Sequence, residues 1–321
     1  MRQRWRSRRW NPGVPDWSAM NDGIGPHRFG YITVSGPPNS GKSTLVNRLT
    51  GSKVSIVSRR PQTTRHRIMG IRTLPGAQIV FVDTPGLHFG QQKNLNRQIN
   101  RTARASLEGV DLVLFMIDHR GWTPDLKKTL RVVTVQRVPV ILLINKVDTL
   151  RDKPRLLPLI QESDRLHDFR AIIPLSALKD DLDRTLLPDL IRQLPEGACG
   201  FPAEQVSDRG PRFRAAELVR EQTFALLGDE LPYESAVEVT RFDDKAPDHW
   251  EIEMTIWVER EGQKGIVIGK NGQVLKAIGQ RARKAMEDQF GVRVRLDLWV
   301  KRRQGWGDSM SMLRSLGYTD D

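Results

Sequence analysis

From Phe29 onward the apolar residues of this chain fall into short runs, and each run closes on polar residues at a turn. "FGYITVSG" reads as a strand, and "KSTLVNRLTG" after it reads as an amphipathic helix closed by Gly51. "QIVFVDTPG", "DLVLFMID", "PVILLINKVD" and "AIIPLSAL" follow, each a β-rich apolar run of the length that suits a buried parallel strand. Helix-like segments lie between them, including "RQINRTARASLEG" and "PDLKKTLRVVTVQ". Strands alternating with helices predict an α/β fold, a mostly parallel sheet with helices on both faces. Ligands of such sheets sit beyond the carboxyl ends of the strands, where the polar motifs of this chain all fall.

The pattern lapses over "QLPEGACGFPAEQVSDRGPR", residues 193–212, where Pro and Gly cluster. After it "FRAAELVREQTFALLGDELPY" reads as a helix, and "SAVEVTRFDDKAPDHWEIEMTIWVER" as two strands around a polar turn. "GIVIGKNGQVLKAIGQRARKAMEDQFG" is a loop running into a long basic helix, and "VRVRLDLWVKRR" a final strand. The order α-β-β-α-β predicts a small α+β domain. The expected division is a flexible basic arm over 1–27, an α/β domain over 28–195, a linker over 196–212 and the α+β domain over 213–321.

Composition adds boundaries to this picture. The 321 residues are 38% hydrophobic and 28% charged, the balance of a globular protein with a real core. No apolar run is long enough to span a bilayer. A lone Cys199 excludes an internal disulfide and an all-cysteine metal site, and reads as an ordinary free thiol. The net charge of +13 is unevenly spread: residues 196–321 hold 19 basic and 22 acidic side chains, yet 260–303 hold 12 against 4. Such segregation points to a nucleic-acid surface, with a solvated basic helix as the alternative. The opening "MRQRWRSRRW" has five arginines and no apolar core, so it is not a secretory signal. It reads as an arm touching RNA or anionic lipid, or as an extension without a dedicated role.

Gly36-Pro-Pro-Asn39-Ser40-Gly41-Lys42-Ser43 fits the phosphate-loop spacing and sits between a predicted strand and helix. Its glycines let backbone N–H groups face phosphates, Lys42 supplies charge, and Ser43, followed by Thr44, offers a hydroxyl to Mg²⁺. Asp83-Thr84-Pro85-Gly86 ends the second recognised strand, where an aspartate meets Mg²⁺ and the Gly86 N–H reports on a γ-phosphate. Asn145-Lys146-Val147-Asp148 closes "PVILLI". A carboxylate there accepts both the ring N–H and the amino hydrogens of guanine, which adenine does not offer. Ser176-Ala177-Leu178 ends the next strand, where a backbone N–H can meet the guanine oxygen. Four such motifs in order imply a GTPase.

Between the first two lies "RRPQTTRHRI", in which Thr64, favoured over Thr63, is expected to complete the Mg²⁺ shell. The position after D-x-x-G, often a water-orienting glutamine, is Leu87, with His88 beside it. The catalytic set expected is Lys42, Thr64, Gly86 and Asn39, the last by helping to hold a potassium ion. The metal set is Ser43, Thr64 and Asp83. In the second domain Ile268, Gly269, Lys270, Asn271 and Gly272 form a G-x-x-G loop ahead of a helix carrying Lys276, Arg281, Arg283 and Lys284. A KH domain clamps the backbone of about four nucleotides with such a loop.

The strings "PNSGKSTLVNRL", "PQTTRHRI", "VDTPGLH", "NKVD", "ELPY", "VEREGQK", "VIGKNG", "LWVK" and "LRSLGY" together resemble the Era family of GTPases. The resemblance runs from about Phe29 to the end of the chain. It implies a Ras-like GTPase domain followed by a type II KH domain, using GTP, GDP and Mg²⁺. It also implies binding near the 3′ end of small-subunit ribosomal RNA, a part in small ribosomal subunit maturation, and RNA binding favoured by GTP. The expected protein is a slow, cytoplasmic, monomeric GTPase, and some members touch the inner face of the cell membrane peripherally. The extension before His27 departs from the family. Two other readings are a tRNA-modification-type GTPase and a membrane-associated regulatory GTPase; no nucleophilic cysteine motif favours the former and no long apolar segment the latter.

Overall fold

The computed structural model describes residues 27–87, 93–228 and 230–318. The arm, apart from His27, and His88 lie outside the described residues. The first unit runs β1 (Arg28–Ser35), α1 (Lys42–Thr50), β2 (Ile68–Leu74), β3 (Ala77–Asp83), α2 (Asn94–Ala105), β4 (Leu112–Asp118), α3 (Pro124–Thr134), β5 (Val140–Asn145), α4 (Leu156–Leu166), β6 (Ala171–Pro174), α5 (Leu182–Thr185) and α6 (Leu187–Gln193). The strands order as β2-β3-β1-β4-β5-β6, parallel except for β2, which pairs antiparallel with β3. That edge strand escapes the sequence pattern because Gly70, Arg72 and Thr73 break its apolar run.

Why the strands are apolar throughout is visible in β4. Leu112, Leu114 and Met116 enter one core with Leu45, Val46 and Leu49 of α1 and with residues of α5 and α6. Val113, Phe115 and Ile117 enter the opposite core with Leu126, Leu130 and Val133 of α3. Period-two alternation thus feeds two buried faces, and positions 112–117 of β4 are all buried.

The second unit is α7 (Pro211–Leu226), β7 (Ser235–Asp243), β8 (His249–Val258), α8 (Glu261–Ile268), α9 (Gln273–Phe290), β9 (Arg293–Arg302) and α10 (Met310–Ser315). The expected α-β-β-α-β order is corrected to α-β-β-α-α-β-α. "EGQKGIVI" is a helix, because Gln263 and Arg260 close a capping box at its start and Val267 packs into the core. The sheet is β7-β8-β9, with β9 parallel to β8. Ile278, Ala282 and Met286 of α9, four residues apart, pack on it.

Residues between the units lie against the first sheet. The Gln78 side chain accepts from the Gly200 and Phe201 N–H groups, and Ile71 N–H donates to the Val206 carbonyl. A fourth apolar cluster joins the units: Leu95 and Ile99 of α2 with Ala236, Trp306, Met312, Leu313 and Tyr318.

Candidate functional site

The turn from β1 to α1 is built for close approach. At Gly36, with φ of 144°, a Cβ would stand 2.2 Å from the Met116 carbonyl oxygen; at Gly41, with φ of 105°, it would stand 2.3 Å from Asn145 Nδ2. No other residue type permits this curl. Lys42 is 6% exposed, and its Nζ donates to the carbonyls of Gly36 at 3.1 Å and Pro37 at 2.7 Å. Burial pulls its pKa down to about 8, against the opposing pull of Asp83. A buried ammonium capping only neutral carbonyls is suited to an incoming anion.

Beside it three oxygens from three segments converge. Ser43 Oγ donates to Asp83 Oδ2 at 2.8 Å and lies 2.9 Å from Thr64 Oγ1, itself 3.4 Å from the same carboxylate oxygen. Asp83 is fully buried, and its Oδ1 has no partner. Burial pushes this carboxyl up from its ordinary range, opposed by the Ser43 hydrogen bond and the charge of Lys42. An orphaned carboxylate oxygen beside two hydroxyls is the hard-oxygen donor set that Mg²⁺ takes. Thr63 is turned elsewhere, its hydroxyl donating to the Arg60 carbonyl at 2.8 Å.

Around this cluster, Thr44 lines a cavity between the phosphate loop and the Ile56–Thr64 segment, and the Thr84 hydroxyl donates to the Val34 carbonyl. Pro85 and Gly86 are buried, and a Cβ on Gly86 would stand 3.0 Å from Pro38. Asn39, with φ of 61°, donates from Nδ2 to the Arg59 carbonyl at 2.8 Å, tying the phosphate loop to the segment before Thr64. Leu87 is buried and apolar, so it orients no water.

At the other end Asn145 Nδ2 donates to the Ser40 carbonyl at 2.7 Å, and its Oδ1 accepts the Ala177 N–H at 2.8 Å. One amide thus binds the first loop to the last. Lys146, at φ of 64°, donates to the Asn39 carbonyl. The Ser176 hydroxyl holds the Asp148 carboxyl below its usual range, with Lys179 Nζ 3.5 Å away. The Ser176 N–H is taken by Asp180, and exposed Leu178 gives its carbonyl to Arg48.

In the second unit the G-x-x-G loop joins two helices. Gly269 (φ 73°) ends α8, Lys270 and Asn271 are exposed, and Gly272 (φ 74°) opens α9. Beside it a cleft of about 790 Å³ is lined by Leu275, Lys276, Gly279 and Arg283 of α9 and by Leu296 and Leu298 of β9. Arg281 is exposed but does not line the cleft: it is out of phase with the Leu275, Gly279, Arg283 row. Ile268 packs against the core instead of opening to the cleft.

Sequence reasoning missed how the two sites are joined. Arg65, next to Thr64, is 3% exposed and enters the second unit. It donates to the carbonyls of Ser235 (3.0 Å), Pro232 (3.0 Å) and Tyr233 (3.2 Å). His66 stacks on Tyr318 at 4.4 Å and lies 3.1 Å from the Gly317 carbonyl; burial pushes its pKa down to about 4, so it is neutral. Glu221 of α7 reaches back to Lys53 Nζ at 2.6 Å and to the Val57 N–H at 3.0 Å. The only sequence signal was the burial-prone "LRSLGY" near the end of the chain.

Fold and site together define a P-loop GTPase joined to a KH domain. Residues 31–146 match the family described as 50S ribosome-binding GTPase, and residues 230–307 match the KH domain. The chain is 50% identical to the GTPase Era of Xanthomonas oryzae pv. oryzae over 91% of its own length and 98% of that protein's. It is 48% identical to the GTPase Era of Stenotrophomonas maltophilia over the same shares of the two chains, 91% and 98%. Among solved structures it is similar to a point variant of Aquifex aeolicus Era bound to GDP.AlF4-, with 39% identity, TM-score 0.87, and 91% and 99% of the two chains covered. The same identity, TM-score and coverage relate it to Era in complex with MgGDPNP and nucleotides 1506–1542 of 16S ribosomal RNA. This chain belongs to the Era family of GTPases, and it is a GTPase.

Proposed function

We propose that this GTPase is a nucleotide-controlled RNA clamp that binds small-subunit ribosomal RNA near its 3′ end and assists small ribosomal subunit maturation. The observation that carries the reading is the chain of contacts from Thr64 through Arg65 into the KH domain, between a phosphate-and-Mg²⁺ cluster and a G-x-x-G cleft. Residues 28–195 serve as the GTPase domain, 196–212 as a strap lying along it, and 213–321 as the RNA-binding domain. Lys42 and the loop from Gly36 to Thr44 hold the phosphates. Ser43, Thr64 and Asp83 hold Mg²⁺, which neutralises charge on the phosphates when bound. Gly86 senses the γ-phosphate, and Asn145, Lys146, Asp148 and the Ser176–Leu178 turn hold guanine. Lys270, Asn271, Lys276 and the two glycines engage the RNA backbone, and the apolar floor of the cleft receives bases. Two features support RNA as the ligand: the cationic rim, and a relative captured with 16S ribosomal RNA.

Gly272→Asp tests the clamp. A Cβ there meets nothing within 4 Å, so the fold survives at a cost of about 1–2 kcal/mol for a left-handed residue. The added carboxylate stands where a phosphate would. Binding to small ribosomal subunits in the GTP state is expected to fall at least about tenfold, read by co-sedimentation; equal binding by the two proteins removes the assigned role.

Leu87 stands where a water-placing glutamine often does, and a potassium ion held with the help of Asn39 would add charge beside the phosphates to that of Lys42 and Mg²⁺. GTP turnover is expected to be several-fold faster in potassium than in sodium buffer. Identical rates dismiss the ion. Among the described residues no helix is long and apolar enough to cross a membrane.

A further inference from the structure

A cleft of about 450 Å³ spans the seam between the two units. It is lined by Ser52 and Lys53 after α1, Val206 between the units, Arg214 of α7, and Asp288 and Gln289 of α9. Two contacts frame it: Lys53 Nζ pairs with Glu221 of α7, and Gln289 Nε2 donates to the Lys53 carbonyl at 3.0 Å. Arg214 is half-buried there, its guanidinium carbon 5.1 Å from the centre of the Phe290 ring. Its Nε is sealed from solvent with no hydrogen-bond partner. Among the described residues no carboxylate pairs with this charge, and burial pulls its pKa below the ordinary arginine value. A guanidinium withdrawn from water without a counter-charge costs free energy, and an anion in the cleft would offset that cost.

The lining indicates which anion. Exposed Lys53 brings a second positive charge and Ser52 a hydroxyl. A forked guanidinium, an ammonium and a hydroxyl together suit a phosphate group. Asp288, exposed and without an ion pair among the described residues, lines the same cleft and subtracts from its positive charge. The cleft faces away from the G-x-x-G loop. Ala285, Asp288 and Gln289 lie about half a turn around α9 from Leu275, Gly279 and Arg283, the row that lines the other cleft.

We propose that this cleft is a binding site for a small phosphorylated ligand, whose phosphate Arg214 and Lys53 grip across the seam between the GTPase and KH domains. The bound phosphate is shared between α7 and the segment after α1, so the ligand holds the two domains as they stand here. Its binding does not depend on RNA.

The test uses the full chain loaded with Mg²⁺ and a non-hydrolysable GTP analogue, so that the phosphate loop is filled. Orthophosphate is titrated by calorimetry at constant ionic strength, with chloride as the balancing anion. Saturable binding is expected, and Arg214→Gln should weaken it at least about tenfold by removing a charge-assisted pair. Asp288→Asn, at an exposed position, should tighten it several-fold by removing a like charge. Affinity for the GTP analogue stays unchanged in both variants, since neither residue lines the nucleotide cavity. No saturable uptake, or equal phosphate affinity in the wild type and Arg214→Gln, overturns the site. Equal phosphate affinity in the wild type and Asp288→Asn puts the anion elsewhere and overturns it as well. A fall in single-stranded RNA affinity in Arg214→Gln that matches the fall for phosphate gives the guanidinium to RNA and overturns the small ligand.

Discussion

Replacing Asp148 by Asn is expected to weaken guanine nucleotides by at least about a hundredfold. A carboxylate accepts two hydrogens from guanine, each bond to an ionised group contributing about 1.5–3 kcal/mol. The Ser176 hydroxyl holds the carboxyl below its usual range, and in the proposed reading the base is met by the Asn145–Asp148 and Ser176–Leu178 turns. An amide keeps one acceptor and points a donor at the guanine amino group, so one bond is lost and a repulsion added. Xanthine carries a carbonyl in that place, and xanthosine diphosphate is expected to bind the variant better than GDP does. Calorimetric titration of both nucleotides decides it: an unchanged GDP affinity would take the base away from Asp148.

Removing Arg65 is expected to uncouple the domains. Its guanidinium fills a buried site formed by three backbone carbonyls, with Tyr318 Oη at 3.4 Å and the Phe224 ring beneath it. Arg65→Ala leaves those acceptors without a donor, at a cost of about 3 kcal/mol at the interface. The nucleotide dependence of RNA binding, measured as the ratio of affinities with a GTP analogue and with GDP, should then collapse toward one. Arg65→Lys should recover part of it, since an ammonium cannot span all three carbonyls. A ratio unchanged in the alanine variant would mean that the signal travels by another route, and the α2 seam would be the next to examine. The chemistry of the seam suits a switch. It mixes an apolar cluster with a buried Glu217–Arg220 pair and a neutral His66, so it has polar groups that must be re-paired if it opens.

Much of this was legible in the chain. The parallel sheet announced itself because strands buried on both faces must be apolar on both, as β4 and β5 are up to their final residues, Asp118 and Asn145. The nucleotide motifs were legible because phosphate loops, Mg²⁺ and guanine each demand particular residue types at fixed spacing beside a strand end. Short or edge elements were harder: β2 is interrupted by Gly70 and Arg72, and α8 passed for a loop because its apolar run is only three residues long.

What the sequence indicated by itself, then, was local: which residues curl, and which types stand where a cation or a base is expected. Tertiary structure alone decided that Thr64 and not Thr63 joins Ser43 and Asp83, because the choice depends on which way a loop turns. It alone showed Arg281 off the cleft. Above all it placed Arg65 among carbonyls 167 to 170 residues away in the chain. Backbone carbonyls belong to every residue and leave no mark in a sequence, so a contact made to them becomes visible only when the chain is folded.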